Sequence, residues 1–254
     1  MKLLKFNIHG DFAHFRKPYS NISRMTYQIP PRMTVAGMLA GILGMDRDSY
    51  YDIFDQDSLS VSVRPLTPIK TIRIPQNVVG TSDGDMDKLN NYGSGPTINI
   101  LSPSSYKQRV FEHIIKPQYQ IFIHIEENSL MNKLYKVLSQ NKFTYTPSLG
   151  SARCIANISD VELVDTIRVK DSCKVQSPVT DSSSVSDVKD TTVVTEKITA
   201  EFDITEGSRG TKKRISSSYV QYMYDKSGNG LKVNPSESQR IFQIPSLETH
   251  IEMY

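Results

Sequence analysis

Cysteine is scarce: Cys154 and Cys173 are the only two, and they sit in unrelated contexts. That excludes a disulfide framework and a cysteine-built metal site, and it suits a reducing compartment. Long apolar runs are missing as well. The longest, residues 35–45, is far too short to cross a bilayer. The opening MKLLKFNIHG is basic, but Lys5 interrupts it before it reaches signal-peptide length. The expectation is a cytoplasmic protein with no membrane partner.

Catalytic signatures are absent too. There is no Walker A sequence, no G-x-G-x-x-G and no HExxH pair. The glycines of 37–44 fall inside a predicted helix and so form no nucleotide loop. His9, His14, His113, His124 and His250 are scattered without ligand spacing. Neither a cofactor nor a metal is expected, and the reading is of a non-enzyme.

Strong net charge is also lacking, at +3 over 254 residues. The distribution is more informative than the sum. Residues 1–34 hold Lys2, Lys5, Arg16, Lys17, Arg24 and Arg32 against Asp11 alone. Residues 45–57 reverse this with Asp46, Asp48, Asp52, Asp55 and Asp57 against Arg47. Basic charge returns in 64–82 and 209–214. Such a mosaic suits contact with both an anion and basic neighbours.

Periodicity supplies the elements. Leu4, Phe6 and Ile8 alternate with polar residues, predicting a half-buried strand. A polar, aromatic loop, 10–29, follows. Pro30 and Pro31 then introduce a helix over 32–44. Val35, Met38, Leu39, Ile42 and Leu43 share one of its faces, and Ala36, Gly37, Ala40, Gly41 and Gly44 share the other. That bare face suits either close approach of a phosphate backbone or another protein, or tight packing inside this chain. Strands are predicted at 59–63, 69–74 and 106–115, at 119–125 with the clearest alternation, and at about 152–158. A short helix is predicted at 130–138. Residues 77–103, rich in Gly, Asn and Asp, form a long excursion.

This order of strands and helices is that of a split βαβ, ferredoxin-like unit, the plan of the RRM domain. An α+β fold is therefore expected, with residues 1–158 as an RNA-binding domain and 159–254 as a smaller, mostly β region.

Within 10–32, Arg16 and Lys17 lie between Phe15 and Tyr19, with Arg24, Tyr27 and Arg32 close behind. Cations that pair with phosphates, beside rings that stack on bases, are what single-stranded RNA binding requires. The same mixture serves a solvated loop anchored by its rings. The start of the 32–44 helix, with Arg32 and Thr34, adds donors for an anion. Lys70 and Arg73, then Lys107 and Arg109, give further basic edges. The loop 207–214 is basic and reads as surface. A metal-independent ribonuclease needs only a general acid and base near a 2′-hydroxyl, and His113, Lys116 and Tyr27 are the candidates for that alternative.

The run FNIHGDFAHFRKPYSNISRMTYQIPPRMTVAGMLAGILG resembles the opening of the CRISPR-associated Cas-five family. SYKQRVFEHIIKPQYQIFIHI and FTYTPSLGSARCIA extend the likeness over about residues 3–160. The resemblance implies a modified RRM fold with a protruding β-hairpin thumb, here 77–103, and a smaller C-terminal β part. It also implies a place in a type I Cascade surveillance complex, most like subtype I-B. There the subunit would bind the 5′ handle of CRISPR RNA, cap the backbone filament and contact the large subunit. Target DNA would be met only through the complex. On this chain Arg16, Lys17, Tyr19, Arg24, Tyr27 and Arg32 would surround the handle, and Lys70, Arg73, Lys107 and Arg109 would lie on or near the thumb. One subfamily instead cleaves precursor RNA with a Tyr, Lys and His cluster, which the spacing of His113 and Lys116 does not match.

Overall fold

A computed structural model describes residues 1–20, 23–79, 106–187, 192–206 and 212–254. The architecture is mixed and sheet-rich, with two α-helices among the described residues. The chain begins with β1 (Lys2–His9), whose Leu4, Phe6 and Ile8 are buried. The expected polar loop contains four short strands: β2 (Phe12–Ala13), β3 (Phe15–Arg16), β4 (Ser23–Arg24) and β5 (Thr26–Tyr27). Helix α1 (Arg32–Leu43) follows and ends at Gly44, whose φ of 75° closes the last turn.

Then come β6 (Leu59–Pro65), β7 (Thr71–Val79), β8 (Tyr106–Ile115) and β9 (Gln118–Ile125), helix α2 (Asn128–Ser139) and β10 (Asn157–Asp165). One sheet takes the order β10-β1-β9-β6, every neighbouring pair antiparallel. Each helix thus joins two strands that have a third lying between them. The buried face of β1, β6 and β9 packs against Val35, Leu39 and Ile42 of α1 and Leu134 and Leu138 of α2.

The opposite face of this sheet is covered too, which is why β6 is buried almost along its whole length. Its cover is part of a six-stranded sheet: β11 (Ile167–Arg168), β12 (Cys173–Val175), β13 (Val185–Asp187), β16 (Leu231–Val233), β17 (Ile241–Ile244) and β18 (Thr249–Glu252). Phe242, Ile244, Ile251 and Met253 pack there against Leu3 and Phe122. Between β13 and β16 the chain forms a long hairpin of β14 (Val193–Glu206) and β15 (Lys212–Asp225). Ile198, Tyr222 and Tyr224 from that hairpin join the first core.

Two sequence expectations shift. The strand expected at 152–158 lies at Asn157–Asp165 instead, because the preceding residues spend their backbone bonds in a local fold. Leu149 N–H donates to the carbonyl of Cys154 at 2.7 Å, and Ala156 N–H to that of Pro147 at 3.0 Å. Position 159 therefore lies inside β10, paired with Asn7 of β1. Of the excursion 77–103, residues 77–79 extend β7, and the remainder falls outside the described residues.

Candidate nucleic-acid interface

The short strands after β1 build a groove of about 610 Å³ against α1. It is lined by Phe15, Arg16 and Arg24, by Phe111 of β8, by most of residues 145–153, and by Tyr50, Tyr51 and Phe202. Thr34, Gly37, Met38 and Gly41 of α1 form the floor. Arg16, Arg24 and Arg153 line it, and among the described residues no carboxylate does.

The 145–153 segment is stitched to β2 and β3 by its backbone. His14 N–H donates to Leu149 at 3.0 Å, and the carbonyl of His14 accepts from Ser151 at 3.1 Å. Gly150 sits between at φ 84°, where a Cβ would come within 2.3 Å of that same carbonyl oxygen. Only glycine fits there. The turn that follows delivers Arg153 to the groove.

At this end the guanidinium carbons of Arg24 and Arg153 lie 4.9 and 4.8 Å from the Phe111 ring centre. Burial lowers the pKa of Arg24, and Arg16, Arg109 and Arg153 repel it further. Its buried Nε has no hydrogen-bond partner among the described residues. Like charges gathered in this way set up a positive potential at this end of the groove. His14 lies beside them, buried. Burial first, then His113 and the arginines, hold its pKa below the usual value against the opposing hydrogen bond to the Glu112 carbonyl.

The other end is aromatic. Tyr50 and Tyr51 have ring centres 4.6 Å apart, and Tyr51 meets Phe202 edge-on at 6.4 Å. Tyr145, 62% exposed, stands at the mouth. The floor is where α1 differs from its expected faces. Val35, Leu39 and Ile42 do face the core, joined by Ala36 and Ala40, while Met38 and Leu43 are half-buried. Of the small residues, Gly37 and Gly41 turn to the groove, beside Thr34 and Met38. A Cβ on Gly41 would meet nothing within 4 Å, and one on Gly37 would come 2.9 Å from the Tyr50 hydroxyl.

The sequence-predicted residues divide. Arg16 is exposed on the groove wall, Arg24 lies within it, and Arg109 is half-buried nearby. Tyr19 is 66% exposed on the turn after β3. Lys70 and Arg73 are exposed beside and on β7, Arg73 lying 3.9 Å from Glu112. Lys107 is on β8, and its side chain is outside the described residues.

Three turn inward. Lys17 forms a 2.6 Å ion pair with the buried Glu196. Tyr27 is buried and donates its hydroxyl to the carbonyl of Lys197 at 3.1 Å. Arg32 is buried and donates to the carbonyls of Phe54, Asp55 and Leu59, clamping the acidic 45–57 stretch to the start of α1. Only Thr34 of the two donors expected at this helix start reaches the groove.

Sequence reading missed Arg153, Tyr145, Tyr51 and Phe202. The signal available for the first two was the T-Y-T-P-S-L-G-S-A-R run, whose tight turn returns its cation to the first loop. The ribonuclease trio is not assembled in the groove: His113, Lys116 and Tyr27 are all absent from its walls. Among the described residues no cluster of His, Cys, Asp and Glu is arranged to hold a metal. No helix there is long and apolar enough to cross a membrane.

The family model described as "CRISPR-associated protein (Cas_Cas5)" matches residues 3–225. Among solved structures, a CRISPR protein from Archaeoglobus fulgidus is similar, with a TM-score of 0.60 at 11% identity, covering 100% of this chain and 99% of that one. A chain of a CRISPR RNA-guided surveillance complex has a TM-score of 0.50 at 14% identity, covering 90% of each. A chain of the type III-B Cmr-beta complex bound to cognate target RNA has a TM-score of 0.50 at 11% identity, covering 98% and 99%. No curated protein matches the sequence significantly.

Proposed function

The chain belongs to the CRISPR-associated Cas5 family, and from that premise we propose that it is a non-catalytic subunit of a CRISPR effector complex that grips the 5′ handle of CRISPR RNA in the arginine-lined groove. The observation that carries this is the groove lining itself: Arg16, Arg24 and Arg153 share it with no carboxylate among the described residues, together with the half-buried rings of Tyr50, Tyr51 and Phe202 and the exposed ring of Tyr145. Phosphates take the arginine end, and an unstacked base takes the aromatic end. The RNA-guided complexes in which similar folds occur support the same setting.

On this reading β1, α1, β6, β9, α2 and β10 are the ferredoxin-like unit, carried past residue 158 to Asp165. The β7–β8 ladder is the base of the thumb, with Lys70, Arg73, Lys107 and Arg109 along it. The C-terminal sheets brace this unit from behind. Backbone and large subunits of a Cascade-type complex are the protein partners, in the cytoplasm, and target DNA is met only through the complex.

Titration of the full chain with a handle-derived RNA at two salt concentrations tests the proposal. Wild-type affinity falls as salt rises. The Arg24→Ala/Arg153→Ala variant binds roughly 10- to 100-fold more weakly with a salt slope shallower by about 1–2, while its melting temperature holds. RNA recovered from these mixtures in EDTA stays intact. No binding at low salt, alone or within the complex, overturns handle binding. Cleavage abolished by His113→Ala overturns the non-catalytic assignment.

A further inference from the structure

The β14–β15 hairpin has two unlike faces. Inward, Ile198, Tyr222 and Tyr224 complete the first core. Outward, Thr195, Lys197, Ser217, Tyr219 and Gln221 are exposed, and an exposed carboxylate, Asp203, lies farther along the hairpin opposite Ile215. Tyr219 is 56% exposed, and the Lys197 ammonium lies 4.7 Å from its ring centre. The pairing explains this contact. Thr199 stands opposite Tyr219 and Lys197 opposite Gln221, so Lys197 and Tyr219 are diagonal neighbours on one face. The nearest acid on β14, Glu196, points the other way and is engaged by Lys17 and the Tyr224 hydroxyl.

This face adjoins the groove through the turn after β3. Tyr27 bonds the carbonyl of Lys197, fixing β5 to β14. Both Tyr19 and Tyr219 lie near enough to raise the pKa of the Tyr27 phenol, after burial, which is the larger cause. Arg16, on the groove wall, precedes this turn, and Tyr19 stands on it, exposed. Exposed rings beside a cation, continuous with a cationic groove, form the kind of platform on which successive bases stack.

We propose that Tyr219, Lys197 and Tyr19 form a second single-stranded RNA contact, a stacking platform that takes nucleotides leaving the groove past Arg16. It rests on the groove reading and adds to it a direction for the strand. Hydrogen-bond readout is not required there, so the platform tolerates any base.

The full chain is titrated with three RNAs, one of handle length, one extended at its 5′ end and one at its 3′ end by several uridines. Wild type binds one of the extended RNAs more tightly than the short one. Tyr219→Ala removes that gain, roughly tenfold, and leaves short-RNA affinity intact. Tyr219→Phe, which keeps the ring, retains the gain and controls for folding. Equal affinity of wild type for all lengths overturns the platform alone. So does a Tyr219→Ala variant that binds every RNA normally yet drops out of the purified complex, since the face then docks protein. Failure of wild type to hold even the short RNA overturns the groove reading and the platform with it.

Discussion

Arg24 and Arg32 belong to one cationic stretch and end in opposite surroundings. Arg32 is buried, and its donors are consumed by backbone carbonyls of the chain. Arg24 has a buried Nε without a partner and stands among other arginines over Phe111. The same contrast separates Lys17, paired to Glu196, from Arg16 beside it, exposed on the groove. A cation whose partners lie inside the chain serves the fold. One held beside other arginines, with a ring as its partner and no ion pair, is left able to take an anion from outside. Partnering, rather than density of charge, distinguishes the two.

The contrast breaks most visibly at Arg32. Arg32→Met keeps volume but leaves the carbonyls of Phe54, Asp55 and Leu59 without their donor. A loss of at least about 3 kcal/mol in urea unfolding is expected, with RNA affinity of the folded protein unchanged. Weakened RNA binding with full stability would mean that Arg32 belongs to the groove set after all.

Next in size is the Lys17–Glu196 pair, which has a pH signature. Burial alone would lower the Lys17 pKa, but the hydrogen bond and charge of Glu196 raise it above the ordinary value. The Tyr27 phenol is pushed up to about 12 by burial and then by Tyr19 and Glu196. Both groups hold their protons more tightly folded than unfolded. Their contribution to stability is therefore complete below about pH 10, near their unfolded values, and is lost as pH rises through the folded ones. Glu196→Gln is expected to cost about 1–3 kcal/mol at neutral pH and to flatten the alkaline decline. Unfolding curves from about pH 8 to about pH 11 measure both, and an unaltered decline would assign it to other groups.

What could be read from sequence follows the same division. β1, β9, α1 and α2 were legible because burial imposes a period on their apolar residues. β10 was misplaced: it is an edge strand with a register shift against β1 and Asp160 at φ 52°, so its alternation is broken. The apolar Cys154 and Ala156 just before it fill the core from a turn and imitate a strand. In the groove, Arg16 and Arg24 were legible from the local mix of cations and rings. Lys17, Tyr27 and Arg32 carried the same local signal, and their inward turn depends on Glu196, Lys197 and Leu59, contacts that no local window contains. Arg153 was missed for the converse reason: it stands alone in a small-residue run and gains its neighbours only through the Gly150 turn, whose Leu-Gly-Ser step was its one local signal.

The smallest expected effect is the sharpest discriminator, because it separates space kept for a ligand from space needed by the fold. Glycine in the middle of a helix costs about 1 kcal/mol relative to alanine. Gly41 brings no packing in return, since an added Cβ would meet nothing within 4 Å. Gly41→Ala is thus expected to raise stability by about 0.5–1 kcal/mol while weakening RNA binding, because the methyl group projects into the groove floor. Gly37→Ala makes the comparison internal: its Cβ would crowd the Tyr50 hydroxyl at 2.9 Å, so the gain in helix propensity is offset by displacement of that ring. Thermal melts and RNA titrations of the two variants read both quantities. If Gly41→Ala stabilises the chain and leaves RNA affinity untouched, the floor of the groove carries no ligand, and the strand must run along the arginine wall alone.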